Sequence, residues 1–322
     1  MRKIAVYDNF TEPKHRRMID DTAARYGFAV DYYEAPQTVP AEKRGEYEVI
    51  YGMPKPRELK DFVNLKWFCG SFAGVDAYLD EGLYPSPEVM LSNSSGAYGV
   101  TIAEHLIMVT LMLLRHEVTY CADAAAQRWG EVLPMRSIIG STITVLGTGD
   151  IGTEFARRAK AMGAACIRGV RRTKRAADPA FDAIYTHEEL DGLLPDTDIL
   201  VMALPATGET RHILSAERIA LMKDSAYVVN VGRGSAIDQN ALVAALNGGK
   251  LAGAALDVFE EEPLPAGDPA WTARNLLITP HIAGQMSLGY TRDRNAALFC
   301  EDLERYGRGE KPLRLVNRRV GY

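Results

Sequence analysis

The sequence predicts an α/β protein built from two doubly wound parallel sheets. Short β-type runs alternate with helical stretches along almost all of its 322 residues, a pattern typical of a parallel sheet with helices on both faces. A glycine-rich turn in the middle of the chain also lies between a strand and a helix, with further strands after it. A chain of this length can form two domains, each with its own core.

The first third of the chain contains five β-type runs, which lie at residues 4–7, 29–33, 49–51, 66–69 and 89–91. Polar or helical segments separate these runs, so we expect a small doubly wound domain. An apolar stretch at residues 100–114 follows, and its length favours a buried helix over a strand. We interpret this helix as the connector to a second domain.

A second series of strands follows the connector. Its six candidates lie at residues 143–146, 166–170, 199–203, 227–231, 251–256 and 277–279. Six is the number of strands in a complete dinucleotide-binding fold. The last helix, at about residues 288–306, should return to the first domain because little chain follows it. We therefore expect a discontinuous first domain of residues 1–97 and 288–322 around a second domain of residues 98–287.

Composition and charge argue against several classes of protein. The net charge of −5 gives no general reason to expect nucleic acid or an anionic membrane as a partner. No apolar run is long enough to span a bilayer, and the first one ends at Asp8, too early for a signal peptide. The 4 cysteines are scattered without zinc-site spacing, so we expect free thiols, a reducing cytoplasmic compartment and no metal.

A glycine motif follows the strand at residues 142–146 directly and precedes a helical stretch. Gly147 allows a tight turn, Gly149 lets the backbone approach a pyrophosphate, and Gly152 lets the helix pack on the strand. This context predicts a Rossmann-type dinucleotide site, and the alternative is a turn that binds nothing. The cofactor-binding residues predicted in this turn are Gly147, Gly149, Asp150, Ile151 and Gly152.

NAD enzymes carry an acidic residue about twenty residues after the glycine motif, at the end of the next strand, where it binds the ribose 2′-hydroxyl. This sequence has no acidic residue there. Val170 or Arg171 occupies that place, within a basic cluster from Arg168 to Arg175. Guanidinium groups suit a 2′-phosphate, so Arg171 and Arg172 predict a preference for NADP(H), with NAD(H) as the second option. The alternative is a solvated basic loop.

Three segments in the second half of the chain begin at the ends of apolar strands and carry an arginine, an acid and a histidine. Their candidate residues are Arg233, Glu262 and His281. Carboxyl ends of parallel strands face the ligand crevice, so the three side chains should converge where a nicotinamide would lie. Each alone is more often structural, but together and in this order they form a specific signal.

These segments and the glycine motif closely resemble the D-isomer-specific 2-hydroxyacid dehydrogenase family, and the spacing from Arg233 through Glu262 to His281 matches its triad. The resemblance covers most of the chain and is loose before about Tyr47. It implies a Rossmann domain inserted in a flavodoxin-like substrate domain. Glu262 is chosen among three adjacent acids because the family's catalytic glutamate directly precedes a proline.

The resemblance also implies roles for other loops. Residues 72–76 are similar to the family's substrate-carboxylate loop, in which the N–H groups of Ala73 and Gly74 would bind the carboxylate. Asp257 would meet the nicotinamide carboxamide. The further cofactor-binding residues implied are Leu204, Pro205, Thr210, Val231, Gly232, Asp257 and Gly284. Gln285 and Met286 depart from the small hydroxyl residue common after the histidine, which leaves the pocket shape and substrate preference open.

The implied reaction is the NAD(P)H-dependent reduction of a small 2-oxo acid to a D-2-hydroxy acid. His281 would donate the proton, Glu262 would favour its charged form, and Arg233 would bridge the substrate carboxylate and carbonyl oxygen. Glyoxylate, hydroxypyruvate, pyruvate and branched 2-oxo acids all remain candidates. The alternatives are a formate- or phosphite-type dehydrogenase and a non-catalytic NAD(H)-sensing protein.

Trp129 lies in a segment that in relatives forms a dimer arm, so a homodimer is expected, although a merely packed tryptophan is an equal alternative. The remaining histidines lack a partner pattern in sequence and are interpreted as structural. They are His15, His105, His116, His187 and His212.

Overall fold

The computed structural model of the protein describes residues 1–8, 10–34, 37–174, 176 and 178–322. The chain divides into two compact units. One consists of two segments, Met1–Tyr98 and Gln285–Tyr322, and the other is the continuous segment Gly99–Gly284.

The strands are β1 Arg2–Asp8, β2 Phe28–Glu34, β3 Val49–Gly52, β4 Trp67–Gly70, β5 Met90–Ser92, β6 Thr142–Leu146, β7 Cys166–Arg171, β8 Ala183–Thr186, β9 Ile199–Met202, β10 Tyr227–Asn230, β11 Gly253–Leu256 and β12 Leu276–Ile278. The α-helices are α1 Pro13–Arg25, α2 Gly99–Leu114, α3 Glu117–Ala125, α4 Asp150–Ala161, α5 Ala216–Leu221, α6 Gln239–Asn247 and α7 Gly289–Gly307. Short 3₁₀ turns lie in several of the connections.

The first unit contains a parallel sheet in the order β2-β1-β3-β4-β5, which is the flavodoxin-like order expected of it. The five strands predicted here lie within two residues of those observed. Successive residues of β1 pack on opposite faces of the sheet, because side chains alternate across a strand. Ile4 and Val6 pack with Phe299 of α7, whereas Ala5 packs with Leu59 and Phe68. Helix α7 therefore completes one face of this sheet.

The second unit contains a parallel sheet in the order β12-β11-β10-β9-β6-β7-β8. It has seven strands, so the prediction of six was wrong by one: β8 was not foreseen. This strand is four residues long, lies at the edge of the sheet and is only half-buried, so it lacks a clear apolar run. Strands β6 to β11 have the order of the six strands of the Rossmann fold, and β12 is added at one edge. This order confirms the predicted fold class.

The order of strands reverses at β6. This strand pairs with β7 on one side and with β9 on the other, and both pairs are parallel. In open α/β sheets, ligands bind at such a reversal, beyond the carboxyl ends of the strands. The glycine motif follows β6 and the loop at residues 203–210 follows β9. The fold thus places both predicted cofactor loops at this point.

The apolar stretch at residues 100–114 forms helix α2, as predicted, and α2 packs against α4. Its buried residues include Ile102, Leu106, Val109 and Leu113, spaced three or four apart along one face. Among the described residues, no single helix is long and apolar enough to cross a membrane; α2 and α3 pass that test only as a pair, bent by 70°.

Candidate active site

Three neighbouring strands of the second unit end at one edge of its sheet. The parallel registers place Asn230 at the end of β10 opposite Leu256 of β11, and Leu256 opposite Ile278 of β12. The loops that bear the predicted arginine, glutamate and histidine therefore begin side by side, as expected for parallel strands.

The predicted histidine and glutamate are in direct contact. Nδ1 of His281 lies 2.7 Å from Oε2 of Glu262, and Oε1 of Glu262 accepts a hydrogen bond of 2.9 Å from the N–H of Phe259. Both side chains are partly exposed, His281 by 51% and Glu262 by 36%, so solvent or a ligand can reach them. Because the contact uses Nδ1, the nitrogen that can donate a proton to a substrate is Nε2.

The backbone of His281 is held in the left-handed region, at φ 52°. Its N–H donates to the carbonyl of Asp257 at 2.8 Å. The Asp257 carboxylate is buried and accepts hydrogen bonds from the Thr279 hydroxyl and from the N–H groups of Ile282 and Ala283, at 2.6–3.0 Å. This single carboxylate therefore fixes the loop on both sides of His281, which offsets the strain of the left-handed residue.

The nicotinamide contact expected of Asp257 stays a prediction. Three donors of the protein already occupy its carboxylate, so the structure points first to a positioning function. His105 of α2 lies beside the same group, with Nε2 at 3.4 Å from the Thr279 hydroxyl oxygen. Burial lowers the pKa of His105, against the opposing charge of Asp257, which favours a neutral imidazole.

Arg233 follows β10 in a loop that is tightly held. The amide of the buried Asn230 side chain donates to the Arg233 carbonyl at 2.9 Å and accepts from the Gly232 N–H at 3.0 Å. Nη1 of Arg233 donates to the Gly232 carbonyl at 2.8 Å. A Cβ at Gly234 would lie 1.9 Å from the backbone of Phe259, so only glycine lets this loop rest on the loop that carries Glu262.

The glycine motif has the predicted geometry. Gly147 adopts φ 98°, and a Cβ at Gly152 would lie 1.9 Å from the Gly147 carbonyl oxygen, so α4 starts in direct contact with the turn. A Cβ at Gly149 would meet nothing within 4 Å, which leaves open space over the turn. The Asp150 carboxylate accepts from the Gly99 N–H at 2.7 Å, and Ile151 is half-buried in the first turn of α4.

The loop after β9 is closed by Thr210, whose hydroxyl donates to the Pro205 carbonyl at 2.7 Å and accepts from the Thr207 N–H at 2.9 Å. Leu204 and Val231 are buried. A Cβ at Gly232 would lie 2.6 Å from the Leu204 backbone, so the loops after β9 and β10 pack closely. Gly284 is half-buried at the end of this unit.

Of the two positions proposed for ribose recognition, the structure favours one. Val170 is fully buried in the core beneath the sheet, so an acid there would lose its hydration. Arg171 is the last residue of β7 and is half-buried, and Arg172 follows it with an exposed side chain. Arg171 is therefore the more accessible of the two candidates at the end of β7.

Other members of the basic cluster have different neighbours. Nη2 of Arg168 lies 3.9 Å from Asp196, and Nζ of Lys174 lies 2.9 Å from Glu189. Arg175 lies outside the described residues. The cluster is thus not a uniform basic surface, and Arg171 and Arg172 are its members nearest the end of the strand.

The predicted substrate loop follows β4 in the first unit. The carbonyl of Phe72 accepts from the Ser94 N–H at 2.9 Å, and the carbonyl of Ala73 accepts from the Asn93 amide at 2.6 Å. Within the part of the chain that the structure describes, the N–H groups of Ala73 and Gly74 have no hydrogen-bond acceptor. These two donors can therefore serve a ligand.

A parallel sheet with a glycine turn at its strand reversal and a His–Glu pair at the same edge defines a dinucleotide-dependent oxidoreductase. Residues 107–283 match the model of the D-isomer specific 2-hydroxyacid dehydrogenase NAD-binding domain, which is more than half of the chain. The chain therefore belongs to the D-isomer specific 2-hydroxyacid dehydrogenase family, whose members oxidise or form CH–OH groups. The resemblance noted in the sequence is confirmed.

Individual relatives agree with this assignment. The glyoxylate reductase of Aeropyrum pernix is 37% identical over 243 residues, which cover 72% of this chain and 70% of the relative. A D-isomer specific 2-hydroxyacid dehydrogenase from Xanthobacter autotrophicus Py2, solved with NADPH and MES, has a TM-score of 0.81, 30% identity and 100% and 99% coverage. An NADPH-dependent glyoxylate/hydroxypyruvate reductase from Sinorhizobium meliloti, solved with NADP and sulfate, has a TM-score of 0.81, 26% identity and 100% coverage of both chains.

Proposed function

We propose that the protein reduces a small 2-oxo acid to the D-2-hydroxy acid with NADPH. The observation that carries this proposal is the 2.7 Å contact between His281 and Glu262 at the sheet edge that also holds the glycine turn. A proton donor beside a dinucleotide turn suits reduction of a carbonyl group. The relatives favour neither formate or phosphite oxidation nor a non-catalytic sensor.

The glycine turn fits the pyrophosphate of a dinucleotide. Open space above Gly149 and the close approach at Gly152 form a cradle that larger residues would fill. The N–H groups at the start of α4, including those of Asp150 and Ile151, would bind the phosphates. The Asp150 side chain itself accepts from the Gly99 N–H. Leu204, Val231 and the backbone around them would border the nicotinamide. When bound, the reduced cofactor supplies a hydride to the carbonyl carbon.

His281 supplies the proton that completes the reduction. As negative charge grows on the carbonyl oxygen, Nε2 of His281 donates its proton to that oxygen and the imidazolium becomes neutral. Glu262 at Nδ1 stabilises the imidazolium before transfer and fixes the ring orientation. Arg233 binds a carboxylate oxygen and the carbonyl oxygen with its planar guanidinium. Ala73 and Gly74 bind the carboxylate through their N–H groups.

The proposal is tested by following the oxidation of NADPH and NADH with a panel of 2-oxo acids: glyoxylate, hydroxypyruvate, pyruvate and branched acids. Formate and phosphite are tested as hydride donors with the oxidised cofactors. Rapid turnover of at least one 2-oxo acid to the D product is expected. Turnover of formate or phosphite alone, or of none of these compounds, would contradict the proposal.

Replacing Glu262 with glutamine should lower kcat for 2-oxo acid reduction and leave the KM for NADPH unchanged. Glutamine keeps the size of the side chain but removes the negative charge from the 2.7 Å contact with Nδ1 of His281, so the ring is held less firmly. A partly exposed ion pair contributes roughly 0.2–1 kcal/mol, which corresponds to a loss of up to about fivefold. The measurement is steady-state kcat for the 2-oxo acid. An unchanged kcat would remove Glu262 from the pair.

The cofactor preference is proposed to depend on Arg171, with Arg172 beside it. Arg171→Asp should raise the KM for NADPH about tenfold or more, since a charged hydrogen bond contributes about 1.5–3 kcal/mol. It should also raise kcat/KM for NADH, because the new carboxylate can accept from the ribose 2′-hydroxyl. The wild-type preference should weaken at high salt, because exposed charges are screened.

Lys174→Ala provides the matched control, since it removes one positive charge from the same loop but from a residue that contacts Glu189. This variant should leave the ratio of kcat/KM for NADPH to kcat/KM for NADH unchanged. Equal use of NADPH and NADH by the wild type, unaltered by Arg171→Asp, would show that the arginines form only a solvated loop.

We also propose a homodimer. Trp129 is fully exposed, and Val132 and Ile139 in the same segment are 92% and 73% exposed. Such a group of large apolar side chains is typical of a surface covered by a partner. Light scattering at micromolar concentration should give twice the mass of the chain, and the mass of one chain would contradict this assembly.

A further inference from the structure

A buried polar network joins helix α7 to the substrate loop within the first unit. At its centre is Asn295 of α7, which is 0% exposed. Its Oδ1 accepts from the hydroxyls of Tyr51 at 2.7 Å and Ser94 at 2.9 Å, and its Nδ2 donates to the Ser71 carbonyl at 3.0 Å. All three partners are themselves buried. Asn295 therefore connects the sheet, the segment after β5 and the loop after β4.

Hydrogen bonds hold the four consecutive carbonyl groups of residues 70–73, which lead from the end of β4 into the substrate loop. The Ser94 hydroxyl lies 2.9 Å from both the Gly70 carbonyl and Asn295 Oδ1, so these two oxygens share its one proton. Ser71 accepts from Asn295 and the Tyr98 hydroxyl, Phe72 from the Ser94 N–H, and Ala73 from the Asn93 amide. A loop with four neighbouring peptide groups fixed in this way has little freedom to rotate them.

These bonds determine where the free donors of the loop point. The carbonyl of Phe72 and the N–H of Ala73 belong to one planar trans peptide group and point in opposite directions. The same holds for the Ala73 carbonyl and the Gly74 N–H. Because the carbonyls face the protein donors, the two N–H groups face away from them. The loop thereby presents two adjacent donors on one side.

We propose that Asn295 is a positioning residue that orients the Ala73 and Gly74 N–H groups toward the carboxylate of the substrate. This inference rests on the proposed 2-oxo acid reductase function. A buried polar group in a satisfied network costs desolvation but specifies one arrangement of the groups it joins. Here the arrangement specified is that of the loop.

Asn295→Leu is the first test, since leucine has a similar volume and no polar group. The KM for the 2-oxo acid should rise about tenfold or more, because charge-assisted hydrogen bonds to the carboxylate are lost. The KM for NADPH should stay unchanged, since the cofactor residues belong to the other unit. Ser94→Ala, which removes one hydroxyl from the same network, should raise the KM in the same direction.

Ser92→Ala is the matched control. The Ser92 hydroxyl is equally buried and accepts from the Trp67 indole at 2.8 Å, but its partner lies outside residues 70–74. This variant should lose stability without a change in KM for the 2-oxo acid. If Asn295→Leu does not fold, Ser94→Ala compared with Ser92→Ala carries the same test.

A second measurement separates a loop effect from a general loss of activity. The ratio of kcat/KM for pyruvate to that for pyruvamide should fall in Asn295→Leu and Ser94→Ala, because only the acid uses the loop donors. A ratio equal to that of Ser92→Ala would overturn the inference while leaving the reductase function intact. A wild-type protein that reduces no 2-oxo acid would overturn the function and, with it, this inference.

Discussion

Replacing His281 with alanine should lower kcat for 2-oxo acid reduction by about 10²–10⁴-fold, the usual contribution of a general acid. The imidazole is the only group in the His–Glu pair that can donate a proton to the growing alkoxide. Its loss should leave the KM for NADPH unchanged, since the proposed phosphate site is the glycine turn. Single-turnover measurements of NADPH oxidation at saturating substrate give the rate of this step directly.

The chain contains a matched control for this variant. His212 also adopts a positive φ, of 47°, and its Nε2 lies 3.1 Å from Oε1 of Glu260. This second His–Glu pair lies outside the proposed triad, so His212→Ala should keep kcat within about threefold of the wild type, as a surface substitution does. Equal losses in the two variants would show that His281 has no special part in the reaction.

Arg233→Lys should raise the KM for the 2-oxo acid and lower kcat, each by about tenfold or more. Lysine keeps the positive charge but has no planar fork, so it cannot bind the carboxylate and the carbonyl oxygen together. Each charge-assisted hydrogen bond lost costs about 1.5–3 kcal/mol, or roughly 10- to 100-fold. Steady-state kinetics with the preferred 2-oxo acid separate the two effects, because ground-state binding governs KM and transition-state contacts govern kcat.

Arg218→Lys makes the same change at an arginine of the same unit that contacts Asp191 and the Ile213 carbonyl. It should alter stability slightly and the kinetics not at all. Near-normal kinetics of Arg233→Lys would place Arg233 outside the substrate site.

Much of the fold could be predicted because its signals are local. All eleven predicted strands correspond to observed strands, because each is a short apolar run ended by glycine, proline or polar residues, which is visible in the sequence. Strand β8 lacked that signal because it is a half-buried edge strand whose register depends on β7. The loops after β10, β11 and β12 begin side by side, as expected, because the carboxyl ends of parallel strands meet at one edge of the sheet.

The contacts that support the site could not be predicted, because they join residues far apart in the chain. The Asn295–Ser94 hydrogen bond spans 201 residues, and neither residue lies in a motif. The function of Asp257 in holding the loop of His281 likewise depends on the turn that follows β12. The choice between Val170 and Arg171 needed the register of β7, which shows that Val170 faces the core.

The division of the first unit into two chain segments has a consequence for the order in which the protein is made. Strands β1 to β5 leave the ribosome first, yet the apolar face formed by Ile4 and Val6 is completed by Phe299 and Leu303 of α7. The second unit is continuous and can fold as soon as Gly284 has emerged, since domains fold as units during synthesis. While the residues of the second unit are added, only α1, through Ile19 and Ala23, covers that face of the first sheet, and the substrate loop gains the Ser71–Asn295 hydrogen bond only when Asn295 has been made.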